Sequence, residues 1–582
     1  MVKLHSFLGA LTALSVTSLV SAANVVTTDP QAVSNKTYDY IVVGGGLAGI
    51  TVAARLAEVS SNTVLVIEAG RDDRGDSRVY DIYAYTQAFG TDMDWDWPAD
   101  QGRRIKGGKT LGGSTSINGG AYTRGLAAQY DAWSSLLSAG EQNLGWNWAS
   151  LFSYMKKSET FSAPNSQQAA KGAQSTASYH GTSGPVQVAF ASQMYGGPQQ
   201  PAFVQTIKKT HNVSLCPDLN GGAPNCVAYT PLAIDWRRND YRSSSAEAYL
   251  TPPGSNPAVA TGVQFGRASG VRHTAYARKE VILAAGAINT PALMQLSGIG
   301  DSSILSSLGI STVVNLPTVG KNLQERTMNS LGAKGNGFDW GGRGPSNVIA
   351  FPNLYQVFGS QGASVASQIQ SNITRWADSQ AVNGASASAL RKIFQVQADL
   401  ITKQNAPIVE LFYDTGYPSD LGINIWSLLP FSRGRVQIES TDPFQKPKVT
   451  VNYFSVDFDL RCQIAGARMA RKILGTAPLS DLSTGEVIPG NSTVPDDGFG
   501  GSDADWARWI ESGFSTVHHP VGSCAMMAQE LGGCVNGRLK VYGTRNLRVV
   551  DASIMPTQVS AHPVSTLYGI AEKVADMIKS NV

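Results

Sequence analysis

Residues 37–70, TYDYIVVGGGLAGITVAARLAEVSSNTVLVIEAG, restrict the fold more than any other stretch of the chain. Residues 40–43 read as a short buried strand. Gly44 to Gly49 satisfies G-x-G-x-x-G, and ITVAARLAEV has helical spacing of apolar residues. A second strand, TVLVIE, ends at Glu68, nineteen residues beyond Gly49. Each part has a physical task. Gly44 makes a tight turn, Gly46 lets backbone approach a pyrophosphate, and Gly49 allows helix and strand to pack closely. The helix start at Leu47 and Ala48 presents unpaired N–H groups and partial positive charge to phosphates. Glu68, followed by Ala69, can accept from both ribose hydroxyls, which selects an ADP moiety without a 2′-phosphate. Strand, glycines, helix, strand and terminal acid in this order specify a dinucleotide site on a Rossmann-like α/β unit.

The motif does not separate NAD from FAD, but the N-terminus bears on the choice. MVKLHSFLGALTALSVTSLVSAAN carries a lysine, an apolar run and small residues up to Ala22 or Ala23, the layout of a secretory signal peptide over 1–23. Sequons at Asn35, Asn212, Asn372 and Asn491 fit glycosylation outside the cell. Little regenerates a diffusing nicotinamide there, so a tightly held flavin is expected. No later run is long and apolar enough to span a bilayer. A net charge of +3 without a Lys/Arg cluster argues against nucleic acid as a partner.

A chain of 582 residues exceeds one compact core, so two or more domains are expected. Its five cysteines are too few for a disulfide framework. Cys216 and Cys226 bracket a turn-rich loop and could be bridged, Cys524 and Cys534 are similarly spaced, and Cys462 reads as a buried thiol. No Cys/His spacing suggests a metal site. Residues 102–125 are rich in Gly, Ser and Thr, and read as a phosphate or ring-edge cradle or as a surface loop. Residues 277–300 repeat the strand–glycine–helix theme, with a helix opening at Pro291. A late strand ends at Asp551, and 563–580 form an amphipathic helix. His518 and His519 are adjacent, and on an extended strand they would face opposite sides.

Four segments in this order, the N-terminal motif, GGKTLGGSTSINGGAYTRG, GAINTPALMQLSGIG and HHPVGSC…VYGTRNLRVVDASIMP…SAHPVSTLYG, resemble the glucose–methanol–choline (GMC) oxidoreductases. The likeness runs from about residue 38 to the C-terminus. It is greatest to the secreted fungal branch of glucose oxidase, FAD-glucose and oligosaccharide dehydrogenases, pyranose dehydrogenase and aryl-alcohol oxidase. The resemblance implies a Rossmann-like FAD-binding domain (38–70, 101–154, 241–329 and 521–582) interleaved with an α+β substrate-binding domain on an antiparallel sheet (71–100, 155–240 and 330–520).

It also implies roles. His519, just before Pro-Val-Gly, is the expected catalytic base and His562 its partner, with His518 at the margin of the substrate site. Gly112, Ser114, Thr115, Asn118, Gly119, Gly120 and Ala121 resemble the stretch along flavin and pyrophosphate. Asp551, Ala552, Pro563 and Val564 resemble the C-terminal return to the cofactor. Members with covalently attached FAD carry histidine where this chain has Ile117, which implies non-covalent FAD. Tyr85, Phe412 and Trp426 resemble aromatic pocket walls, a pattern that core packing explains equally well.

Two departures stand out. Glucose oxidase places arginine and asparagine where Ser515 and Val517 stand here, so the polar contacts that select glucose alone are missing. Between AEAYLTP and ATGVQFG only PGSNPAV intervenes, about twenty residues fewer than in relatives. The expected function is an extracellular FAD-dependent sugar dehydrogenase, oxidising the C1 hydroxyl of glucose or a glucosyl oligosaccharide to the lactone. His519 takes the proton, and a quinone, a radical or a redox metalloenzyme takes the electrons. Aryl-alcohol oxidase is the alternative, ahead of glucose oxidase and hydroxynitrile lyase.

Overall fold

The computed structural model describes residues 26–250, 260–268, 270–344, 346–381 and 385–581. The expected signal peptide at 1–23 and the shortened segment at 253–259 lie outside them. Two sheets organise the rest. In the first, Thr37–Val43 pairs in parallel with Val64–Ile67 on one side and His273–Leu283 on the other. His273–Leu283 also pairs in parallel with Leu547–Val549 and antiparallel with Ala260–Phe265. Ile41, Val42 and Ile282 are wholly buried, as expected of a parallel sheet covered on both faces. Helix Leu47–Ala57 follows the first strand and packs on the C-terminal helix Val564–Lys579, which also contacts Trp148–Ser158.

The second sheet is antiparallel and has seven strands. Its path runs Ser483–Ile488, Thr327–Gly335, Leu421–Ser427, Val409–Thr415, Val348–Ala350 and Val227–Tyr229, and Ser515–Thr516 pairs with Thr327–Gly335. Side chains of a strand alternate between faces. Leu411, Tyr413, Ile423 and Ile425 are wholly buried, and helix Asp457–Leu474 covers that face. A Cβ at its Gly466 would lie 2.7 Å from Ile425 Cγ2. Phe412, Asp414 and Trp426 alternate with them, are only half-buried, and turn to the opposite side, which is a cavity wall.

Two sequence expectations change, and the open cysteine pairings are resolved. The domain boundaries at 100/101, 154/155 and 329/330 each cut an element. The first divides the 3-10 turn Asp100–Gly102, the second helix Trp148–Ser158, and the third the strand Thr327–Gly335. The strand stays whole beside its hydrogen-bonded neighbour Leu421–Ser427. The helix expected to open at Pro291 begins earlier, at Gly286, with Pro291 inside it. Its N-terminus is fixed instead by Asp551, whose Oδ2 accepts from the Gly286 N–H at 2.9 Å and the Thr290 hydroxyl at 2.6 Å. Finally, Cys216 and Cys226 form a disulfide, whereas Cys462, Cys524 and Cys534 are buried thiols.

Candidate active site

One continuous cavity of about 2620 Å³ runs from the glycine motif to the antiparallel sheet. Small-ligand pockets typically hold ~300–1,000 Å³, so this one has room for a dinucleotide and a substrate together. Gly44, Gly46, Leu47, Ala48, Glu68, Ala69, Ser114, Thr115, Asn118, Gly119, Gly120, Ala121, Asp551, Ala552, Pro563 and Val564 all line it. Gly49 and Gly112 do not. Gly49 packs behind the motif, where a Cβ would come within 2.0 Å of the Gly44 carbonyl oxygen, and Gly112 holds a turn at φ +91°.

The two glycine-rich loops meet. A Cβ at Gly113, within the stretch expected along the cofactor, would lie 2.8 Å from Gly46 Cα, so the phosphate turn and the second loop approach backbone to backbone. Glu68 accepts from the N–H groups of Gly45 and Gly70, each at 2.7 Å, and burial raises its pKa. Each carboxylate oxygen retains a lone pair for a ribose hydroxyl. Ile117 lines the same wall and offers no nucleophile for a covalent link. The shape and donor set fit an FAD held without a bond.

At the other end His519 and His562 face the cavity with ring centroids 5.6 Å apart. Trp426, on the sheet, lies 5.7 Å from the His519 ring and 4.9 Å from that of His562, and Phe412 stacks on Trp426 at 6.1 Å. Phe412 and Trp426 are thus cavity walls in this fold, as is Tyr85. Val517 also lines the cavity.

The partners behind each imidazole differ. His562 Nε2 lies 2.8 Å from Oε1 of the fully buried Glu410, and its backbone N–H donates to Thr123 Oγ1 at 2.9 Å. His519 Nδ1 lies 3.4 Å from Nη1 of the buried Arg326, which is anchored on the carbonyls of Ala561, at 2.9 Å, and Val559. A guanidinium only donates, so His519 Nδ1 accepts and its neutral ring carries the proton on Nε2. A carboxylate only accepts, so His562 Nε2 donates and its bare nitrogen is Nδ1. Burial, then the Arg326 charge, then the neighbouring histidines hold His519 well below the ordinary imidazole pKa. Burial brings Arg326 down to about 10, which leaves it charged at neutral pH.

The His519 backbone is fixed as well. Its N–H donates to Glu325 Oε1 at 3.1 Å, and its carbonyl accepts from Gln558 Nε2 at 2.9 Å. His518 is different. It is not on an extended strand but in the left-handed region at φ +64°, which separates the two adjacent rings. Its Nδ1 takes the Lys106 N–H at 3.1 Å and sits 2.5 Å from Thr516 Oγ1, and its ring meets Phe89 edge-on at 6.0 Å. Burial pushes it down to about 4. It lines the cavity with one nitrogen already spoken for.

The sequence matches the model of the GMC oxidoreductase family over residues 38–260 and 255–328, and again over 430–571. A glucose oxidase of Aspergillus carbonarius is 35% identical over 585 residues, covering 95% of this chain and 94% of that protein. The glucose oxidase-like protein fsoC of Humicola fuscoatra is also 35% identical, over 93% of this chain and 95% of its own length. Among solved structures, an FAD-dependent oxidoreductase from Chaetomium thermophilum superposes with a TM-score of 0.81 at 27% identity, covering 94% of this chain and 99% of that one. A fungal aryl-alcohol oxidase superposes with a TM-score of 0.79 at 25% identity and the same coverage.

Proposed function

The chain belongs to the GMC oxidoreductase family and is an FAD-dependent enzyme acting on CH–OH groups, and from that premise we propose that it oxidises the C1 hydroxyl of a glucosyl sugar to the lactone, outside the cell, with a quinone-like electron acceptor. The observation that carries the reading is the pair of imidazoles facing one cavity, each backed by a buried charged group of opposite sign. Bound FAD supplies the hydride acceptor. This chain's part is to handle the proton and orient the alcohol.

His519 alone was expected to take that proton. With Arg326 against its Nδ1, His519 instead presents an N–H, suited to hold the substrate oxygen. The nitrogen ready to accept is His562 Nδ1, and a proton added there gives an imidazolium paired with Glu410. That arrangement follows the logic of a histidine oriented by a buried carboxylate. The Phe412–Trp426 wall offers the apolar face of a pyranose ring a surface to lie on. Ser515 and Val517 depart from the glucose oxidase pattern, which supports a dehydrogenase of broader sugar range. Dioxygen as acceptor is the second reading, favoured by the names of the Aspergillus and Humicola relatives.

Anaerobic mixing of the holoenzyme with glucose, a β-linked glucose disaccharide and an aromatic alcohol tests the reading. Bleaching of the flavin band by a sugar, with fast recovery on benzoquinone and slow recovery in air, is the expected result. Bleaching by the aromatic alcohol alone overturns it in favour of an aryl-alcohol oxidase.

A further inference from the structure

One polar group in the cavity has no task in the chemistry at the histidines. Strand Val409–Thr415 turns Glu410, Phe412 and Asp414 to the same side. Glu410 serves His562 and Phe412 forms the wall. Asp414 lies two strand steps beyond Phe412, toward the mouth, where Tyr85, Tyr195 and the largely exposed Tyr417 also line the cavity.

Asp414 is poorly compensated for a half-buried carboxylate facing a cavity. Its Oδ1 accepts from the Ser346 hydroxyl at 3.0 Å and its Oδ2 from Asn424 Nδ2 at 3.2 Å. Among the described residues no lysine or arginine pairs with it. Burial raises its pKa to about 6. Each carboxylate oxygen accepts about two hydrogen bonds, so one position on each remains for a ligand. Asn424 is itself held by the Ser330 hydroxyl on its Oδ1 at 2.5 Å, which fixes its amide and therefore the carboxylate. A rigid, half-satisfied acceptor in a cavity calls for a ligand rich in donors.

Distance decides which part of the ligand that is. The His562 ring lies 6.5 Å from that of Phe412, and Asp414 stands two residues, roughly 7 Å, farther along the strand. A pyranose ring whose C1 hydroxyl sits between the histidines would lie against Trp426 and Phe412, and a second unit would extend along the strand past Phe412 to Asp414. We propose that Asp414, held by Asn424 and Ser346, binds hydroxyls of the second unit of a glucosyl oligosaccharide, and that this contact makes a disaccharide the preferred substrate over glucose. The inference rests on the sugar reading above. It also explains how the site tolerates Val517: recognition moves from the neighbourhood of His519 to the outer end of the cavity.

The test uses FAD-bound wild type, Asp414→Asn and Asp414→Leu, with glucose and cellobiose as substrates and methyl cellobioside as a non-oxidisable ligand in calorimetric titration. An unchanged flavin spectrum certifies folding, and the isosteric Asn variant guards against a Leu variant that fails to fold. In wild type cellobiose has the lower KM. In the variants the cellobiose-to-glucose ratio of kcat/KM falls at least about tenfold, through KM, and methyl cellobioside affinity falls with it. Wild type preferring glucose, or a ratio unmoved in both variants while sugars still bleach the flavin, overturns the Asp414 assignment and leaves the sugar reading standing. Failure of every sugar to bleach the flavin overturns both.

Discussion

Ser523 donates its hydroxyl to the carbonyl oxygen of Ala287, 2.5 Å away, where Pro291 leaves that carbonyl without the N–H of the residue four positions on. The bond ties the loop after His519 to the helix capped by Asp551. Both groups are buried, so Ser523→Ala strands an acceptor and should cost about 1–3 kcal/mol. Combining it with Pro291→Ala, which returns the helical N–H, should recover part of the loss. Thermal unfolding of the two single variants and the double variant checks this. Strict additivity would mean that the carbonyl is satisfied in another way.

The two histidines should respond differently to their supports. Glu410→Gln keeps the shape but leaves an imidazolium at His562 without its counter-charge, and should slow substrate-driven flavin reduction on the order of 10²-fold or more. His519→Ala removes the donor to the substrate oxygen and should cost at least about 10²-fold with the flavin spectrum intact. His518→Ala should cost less than about tenfold, because that ring serves Lys106 and Thr516. Stopped-flow reduction of each variant is the measurement. A Glu410→Gln enzyme reduced at the wild-type rate would return the proton to His519.

Gly49→Ala should abolish cofactor retention. Its Cβ would meet the Gly44 carbonyl oxygen at 2.0 Å, and neither backbone can withdraw without opening the phosphate turn. The purified variant should lack the flavin absorbance of wild type and melt at a lower temperature. Acid precipitation of wild type should release all of its flavin to the supernatant, since Ile117 stands where a covalent link would form.

Glu325 should make stability fall with rising pH. Burial raises its folded pKa to about 8, against roughly 4.3 in the unfolded chain. Between those values the native state binds the extra proton, so its contribution is complete below the unfolded pKa. It is lost as pH rises through the folded one, at up to about 1.4 kcal/mol per pH unit. Melting wild type and Glu325→Gln between pH 5 and 8.5 should show the variant gaining on wild type as pH rises. A difference constant across that range would mean that Glu325 is already ionised when folded.

The parallel sheet and its glycine turn were legible because their signals are local: apolar runs, glycines and an acid within some thirty residues. The same holds for the family segments that carry His519 and His562. What stands behind those rings was not legible. Arg326 precedes His519 by 193 positions, and Glu410 precedes His562 by 152. Neither residue type, read alone, differs from a surface charge. Asp414 opens the polar segment DTGYPSD, which speaks against an apolar substrate site, but only its alternation with Phe412 marks it as a site residue. Gly113 sat in a stretch read as cradle or loop, and only the approach of Gly46 distinguishes it from its neighbours.

The left-handed backbone at His518 limits how this site can drift over evolutionary time. Asparagine, aspartate and glycine tolerate that conformation, whereas valine, isoleucine and threonine strain against it. A pocket wall beside the essential imidazole can therefore change its polarity at this position with little cost. It cannot readily take on a branched hydrocarbon there, and new specificities in this lineage should arise instead around Asp414, where extended backbone tolerates β-branched and polar side chains alike.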